Sequence, residues 1–140
     1  MALRFTRDSG ASKPDKGASD SQSYSDSALN RLKPHFVNNA LTSIYYLIDI
    51  EPANAQQLTR VLSEYLLGVL EVFNNDSLIS FEKEMNLVEN YLKLEKTRFE
   101  DRLKVDYDID VDDFMVPPLS VQIVVECAVK HGIAGQMKAL

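Results

Sequence analysis

The stretch "LKPHFVNNALTSIYYLIDI", residues 32–50, places a proline and a histidine within an otherwise amphipathic pattern. Large apolar side chains recur there at steps of three and four, which indicates a helix with one buried face. The members of this stripe are Leu29, Leu32, Phe36, Ala40, Ile44 and Leu47. Proline lacks an N–H and clashes with the carbonyl four residues back, so Pro34 either begins the regular helix or kinks it. His35 lies one step off the stripe, where an imidazole would be accessible.

A second apolar stripe begins after "DIEP", residues 49–52, and extends to Phe73. Two such helices with a short connection form an antiparallel hairpin, and a lone hairpin leaves one apolar seam open to water. Two hairpins packed around a dyad would close that seam as a four-helix bundle, so the pattern predicts a homodimer. The alternative is that a third helix covers the seam within one chain. Tyr45 and Tyr46, together with Tyr65 and Tyr91, are expected in the core or the seam.

A third helix is predicted over residues 81–100, with Ser80 as its N-cap and Glu82 and Glu84 in its first turn. Its apolar face consists of Met85, Val88 and Leu92, with Leu87, Tyr91 and Leu94 alongside. The following "LKVDYDID", residues 103–110, alternates apolar and acidic side chains, which predicts a strand with one solvated face. "LSVQIVVECAVKHG" then predicts a short buried helix that stops at Gly132. Because one strand cannot make a sheet, this part indicates the start of a larger α/β layer.

Composition narrows the class of protein. The chain has 140 residues and a formal net charge of -6, which argues against nucleic-acid binding. No apolar run is long enough to span a membrane, so no membrane contact is expected from this segment. The single cysteine, Cys127, excludes an internal disulfide and suits a cytoplasmic location. Residues 1–28 are rich in Ser, Asp, Gly and Lys and poor in large aliphatics, which predicts a disordered lead or linker.

His35 and Asn39 are neighbours one helical turn apart on the predicted first helix. Both could simply be surface residues. Alternatively, His35 is a nucleophile that attacks phosphorus, and Asn39 orients a water molecule or the phosphoryl group. A neutral imidazole is a good nucleophile at neutral pH without a separate base. The pattern alone leaves both interpretations open.

Three motifs carry a family resemblance. "KPHFVNNALTSI" resembles the phosphoacceptor segment of the LytS-type bacterial sensor histidine kinases, usually N-P-H-F-L-F-N-x-L-N-x-I. "VENYLKLEKTRFEDRLKVDYDID" is similar to the second motif of that family, and "VPPLSVQIVVECAVKHGI" to the third. The resemblance runs in order from Leu29 to Ile133. It implies a mostly α protein, in which a dimerisation and histidine-phosphotransfer hairpin at 29–76 precedes an incomplete α/β ATP-binding lobe at 77–140.

The resemblance also assigns roles to individual residues. His35 matches the phosphoacceptor, and Asn39 matches the amide that assists dephosphorylation of the partner regulator in related kinases. Glu126, Lys130 and His131 fall in the motif that opens the ATP site. The first motif departs from the family at Lys33, which replaces the usual Asn, and at Asn38, which replaces the usual Phe.

Cys127 stands where the family has the asparagine that holds magnesium. A neutral thiol is a poor ligand for this hard cation, so Cys127 is expected to be a small buried residue and no metal site is predicted. The sequence given ends in "AGQMKAL", without the adenine loop and Gly-rich lid of the family. We therefore expect no cofactor in this chain alone, although intact family members use ATP and Mg, and no self-phosphorylation by this polypeptide.

Two functions follow from the resemblance. In the first, the chain is a fragment or degenerate form of a sensor histidine kinase, which dimerises and carries a phosphoryl group on His35 for transfer to a response regulator. In the second, it is a catalytically silent module. The silent module would bind intact kinases or a regulator without phosphotransfer. A piece of a longer kinase, such as the cytoplasmic part of a membrane sensor, would have the same sequence.

Overall fold

The computed structural model describes residues 2–5, 32–75 and 77–134 of the chain. Residue 1 and residues 6–31 lie outside the described residues. They include Leu29 and most of the predicted lead. Four α-helices dominate the described part and confirm the mostly α class. They are α1 (Pro34–Ile50), α2 (Pro52–Phe73), α3 (Phe81–Phe99) and α4 (Ser120–Val129). Within these described ranges, every helix is too short or too polar to cross a membrane.

The core lies where α1, α2 and α3 meet. The three predicted apolar stripes point into it, with Phe36, Ala40 and Ile44 buried from the first helix. The Phe36 ring lies 5.3 Å from the Tyr65 ring and 5.0 Å from the Tyr91 ring, measured between centroids. Pro34 is the first residue of α1, so it begins the helix and does not kink it.

Helix α3 packs against both helices of the hairpin and covers one side of it within the chain. The hairpin still exposes large apolar side chains. They are Leu41, Tyr45, Tyr46, Ile48, Ile50, Leu67 and Leu70. Tyr45 is 71% exposed and Tyr46 67%, so neither lies in the core of the single chain, which was one of the two places predicted for them, whereas Tyr65 and Tyr91 are buried as predicted.

Two short antiparallel ribbons flank the helices. Strand β1 (Ala2–Phe5) pairs with β3 (Val105–Asp108), with Leu3 opposite Tyr107. Strand β2 (Ile79–Ser80) pairs with β4 (Met115–Val116). The prediction of β3 was correct, but the expectations that it lacks a partner and that the whole lead is disordered were wrong for residues 2–5. The lead has no aliphatic-rich run, and four alternating residues are too short a signal to identify a strand.

The N-terminus of α4 is capped by a side chain from a different helix. The Glu84 carboxylate is completely buried and accepts the backbone N–H groups of Leu119 at 2.9 Å and Gln122 at 3.0 Å. These are two of the N–H groups that a helix start leaves without a partner. The end of this helix also differs from expectation, since the chain continues through Gly132 as a π-helical turn, Lys130–Ala134. Glycine therefore does not stop it.

Candidate functional site

The candidate site lies at the start of α1. His35 is the second residue of the helix and its side chain is exposed, while the next residue, Phe36, anchors this turn in the core. Lys33 is the N-cap residue and has φ 49° and ψ 82°, in the left-handed region. The backbone N–H of Val37 donates to the Lys33 carbonyl at 3.1 Å, which closes the first turn. The histidine therefore projects into solvent from a well-anchored helical turn.

The ring of His35 is held by Asn39, as the spacing of four residues predicted. The Asn39 amide nitrogen lies 3.2 Å from His35 Nδ1. In this orientation the amide donates to Nδ1, so the neutral ring carries its proton on Nε2. Rotation of the amide by half a turn would present its oxygen instead, which would place the proton on Nδ1 and the lone pair on Nε2. Asn39 can therefore select which ring nitrogen is nucleophilic.

A buried polar cluster connects this turn to α4. Glu126 on α4 forms an ion pair through Oε2 with the Lys33 ammonium group. Its other oxygen, Oε1, accepts from Gln122 Nε2 at 2.9 Å and from the Tyr65 hydroxyl at 3.5 Å. The Gln122 amide also lies 3.4 Å from the Tyr65 hydroxyl. The first and third sequence motifs are thus joined by direct contacts beside the histidine.

Burial and negative charge shift the titration of the groups around this cluster. Burial, followed by the charge of Glu126, raises the pKa of Tyr65 far above its ordinary value. Burial and the charge of Glu95 do the same for Tyr91. Burial also raises the pKa of Glu95, partly offset by Arg98. Both tyrosines therefore stay protonated and act as neutral hydrogen-bonding groups at physiological pH.

The remaining residues of the third motif do not join this cluster. Cys127 is exposed, so the prediction that it is buried was wrong: Glu126 faces the core from α4, and its neighbour in sequence faces away. Lys130 and His131 are exposed in the π-helical turn. In the parts of the chain that the structure describes, His, Cys, Asp and Glu side chains form no group of three able to hold a metal ion. With a thiol at 127 and Glu126 paired with a lysine, the residues present do not fit magnesium.

Sequence reasoning did not identify Lys33, Tyr65 and Gln122 as parts of the site. Tyr65 was assigned to the core by periodicity alone, which does not show where a hydroxyl points. Gln122 lies within an apolar stretch, and a polar residue there was the available signal of a buried partner. Lys33 was identified as a departure from the family motif, but its partner is 93 positions away along the chain.

Comparison with known proteins agrees with the family resemblance. The sequence model of the family described as "Histidine kinase" matches residues 26–103. The chain is 42% identical over 103 residues to the sensor protein LytS of Staphylococcus saprophyticus and 39% identical over 105 residues to the sensor histidine kinase YpdA of Escherichia coli. It is 40% identical over 106 residues to the uncharacterised protein YwpD of Bacillus subtilis. No solved structure matches the chain.

These alignments cover most of this chain but a small part of each relative. They include 72% of the chain and 17% of LytS, 74% of the chain and 18% of YpdA, and 75% of the chain and 38% of YwpD. The family model alone spans more than half of the 140 residues. From the three motifs, the family match and the identities to sensor kinases, we conclude that this chain belongs to the LytS-type histidine kinase family.

Proposed function

We propose that this chain is a dimerisation and phosphotransfer module that carries a phosphoryl group on His35 and exchanges it with an aspartate of a response regulator. The observation that carries the proposal is the arrangement of His35 itself. The ring is exposed at the start of a helix whose next residue is buried, and Asn39 fixes one ring nitrogen at 3.2 Å. A nucleophile held in this way loses little conformational freedom when a phosphorylated partner docks.

The transfer chemistry needs only groups that are present at the site and on the partner. The lone pair of the free ring nitrogen attacks phosphorus, a P–N bond forms, and the P–O bond to the partner's leaving oxygen breaks with its electron pair. In the orientation described above the proton lies on Nε2, so the amide turns before Nε2 attacks, and the Asn39 oxygen then holds the ring proton on Nδ1. The reverse step returns the phosphoryl group to an aspartate oxygen and regenerates the neutral imidazole.

The exposed side of the hairpin supports the dimer part of the proposal. Leu41, Tyr45 and Ile48 follow each other at steps of four and three along α1 and form one exposed apolar stripe. Exposed leucines of α2, Leu67 and Leu70, extend the apolar area of the hairpin. Exposed apolar area of this kind marks an interaction site, and a second hairpin packed on it would bury it in a four-helix bundle.

We further propose that another protein supplies the phosphoryl group, either a complete kinase that transfers it in trans from its bound ATP and releases ADP, or the phosphorylated regulator. Cys127 in place of a magnesium ligand supports this, as does the engagement of Glu126 by Lys33. Both features are unfavourable for a magnesium nucleotide at this motif.

The test is to incubate the purified chain with a complete kinase of this type, its regulator and labelled ATP. We expect acid-labile, base-stable label on the chain. The His35→Ala variant should carry none. The chain has only two histidines, so His131→Ala is the matched control, and it should keep the label because the complete kinase supplies the nucleotide site.

The result also separates the proposal from a silent interaction module. Label on the His35→Ala variant, or transfer to the regulator that survives this change, would rule out phosphotransfer through His35. No label on any variant, with dimerisation or kinase binding retained, would identify a module that binds partners without carrying phosphate.

A further inference from the structure

The ion pair between Lys33 and Glu126 joins two parts of the chain that are far apart in sequence. It runs from the N-cap of α1, two residues before His35, to the middle of α4. The Lys33 side chain is 50% exposed, whereas the Glu126 side chain is only 8% exposed. The lysine therefore reaches from the surface to a carboxylate that lies inside.

The two partners do not depend on each other equally. Glu126 Oε1 has the neutral Gln122 amide as a donor at 2.9 Å, but the positive charge at Oε2 comes from Lys33. A carboxylate that loses its cation inside a protein is strongly destabilised, whereas a half-exposed ammonium group returns to water at little cost. Removal of Lys33 should therefore drive Glu126, and with it α4, towards solvent.

The backbone of Lys33 gives independent support. Its left-handed conformation, φ 49°, is unfavourable for residues other than glycine and asparagine, and persists where surrounding contacts hold it. Asparagine adopts this conformation more readily than lysine. Lysine therefore occupies a backbone conformation that suits it poorly, and its ion pair with Glu126 is one of the contacts that hold it there.

We propose that Lys33 is a positioning residue that holds α4 beside the start of the His35 helix through its ion pair with Glu126. The pair acts as a latch between the phosphoacceptor end of the hairpin and the third-motif helix. The latch itself is independent of phosphate, but its effect on the surroundings of His35 rests on the proposed function. A surface ion pair without a buried partner would have no such effect.

The latch is tested by amide hydrogen exchange of residues 120–129 in the full chain. We expect Lys33→Met to speed exchange in this helix by about tenfold, with the α1–α2 core unchanged, because the helix opens more often when Glu126 is unpaired. Lys33→Arg should restore slow exchange, as should the charge-swapped double variant Lys33→Glu with Glu126→Lys. Residues 120–129 of Lys33→Asn should exchange as fast as those of Lys33→Met, although asparagine relaxes the backbone at position 33. This comparison distinguishes the loss of the ion pair from backbone strain.

The matched control is Lys83→Met, which breaks the pair of Lys83 with Glu71 at 2.5 Å. Both side chains of that pair are exposed, so exchange in α4 should not change. Unchanged exchange in Lys33→Met, or fast exchange in Lys33→Arg, would overturn the latch.

A second measurement keeps the latch separate from phosphotransfer. In the labelling assay with a complete kinase, Lys33→Met should change the rate of His35 labelling and Lys33→Arg should recover it. A wild-type chain that takes no label would contradict the proposed function while leaving the exchange result valid. A labelling rate that is the same in Lys33→Met, with faster exchange in α4, would show that the latch does not act on His35 and would overturn its positioning role.

Discussion

The Glu84 carboxylate accepts the backbone N–H of Leu119 across 2.9 Å, so a residue of α3 caps the N-terminus of α4. The middle of α4 is fixed by a second carboxylate, since Glu126 is paired with Lys33 from α1. A short, ten-residue helix is therefore attached to the hairpin and to α3 by two buried acidic groups. Its position relative to His35 depends on these polar contacts as well as on apolar burial.

Replacement of Glu84 by alanine should lower the free energy of unfolding by about 2–3 kcal/mol, because two N–H groups inside the protein lose a charged acceptor. Chemical denaturation of the two proteins measures this difference. Glu82→Ala is the matched control: it removes an exposed carboxylate from the same helical turn and should change stability by less than about 0.5 kcal/mol. Equal effects of the two substitutions would show that Glu84 acts only through the charge of the first turn of α3.

The helices and their buried faces could be predicted from sequence because the signal is local. Phe36, Ala40 and Ile44 recur with helical period and are buried, and Ser80 accepts from the Lys83 N–H at 3.2 Å as an N-cap should. The adjacency of His35 and Asn39 also followed from helical geometry.

Contacts between distant parts of the chain could not be predicted in the same way. Glu84 has the spacing of a first-turn surface acid, but its partner is 35 residues further on. The pairing of Leu3 with Tyr107 joins residues 104 positions apart in the chain, and no periodicity encodes it. The exposure of Cys127 follows from the direction in which Glu126 points, which depends on where α4 is held.

The pH dependence of stability should show the effect of the buried Glu95 carboxyl. Burial raises the pKa of this carboxyl above its ordinary value of 4.5, so the folded chain binds its proton more tightly than the unfolded chain. The contribution of the Glu95 carboxyl to the free energy of unfolding is therefore greatest below about pH 4.5 and falls as pH rises through the folded-state pKa. Glu95→Gln should be more stable than wild type at neutral pH, and the difference should shrink as the pH is lowered.

Thermal unfolding across this pH range measures the difference. Glu64→Gln, a change of an exposed carboxylate on α2, should follow the wild-type curve. A Glu95→Gln protein that is less stable than wild type at neutral pH would mean that the ionised carboxylate is held by favourable contacts, contrary to the direction given by its burial.

The tautomer of the His35 ring should show directly how Asn39 acts on it. With the amide nitrogen 3.2 Å from Nδ1, the neutral ring of the wild type should be protonated on Nε2, which nitrogen-15 NMR of the imidazole resolves. Asn39→Asp offers only an acceptor, so the proton should move to Nδ1. Asn39→Ala should lose the preference and slow label transfer by about three- to tenfold, since one orienting hydrogen bond is lost. Identical tautomers in all three proteins would exclude Asn39 from control of the ring.

Substitutions at two adjacent tyrosines should distinguish dimerisation from regulator binding. Tyr45 shares the exposed stripe of Leu41 and Ile48, whereas Tyr46 lies two turns from Asn39 on the face of His35. Tyr45→Glu places a charge in the proposed bundle seam and should weaken the dimer by at least about tenfold, measured by sedimentation. Tyr46→Glu should leave the dimer intact and slow phosphoryl transfer between His35 and the regulator.

Because the two rings are 5.7 Å apart and similarly exposed, a general loss of folding would affect both variants alike. If Tyr45→Glu remained dimeric, the second hairpin would have to bind another face of α1.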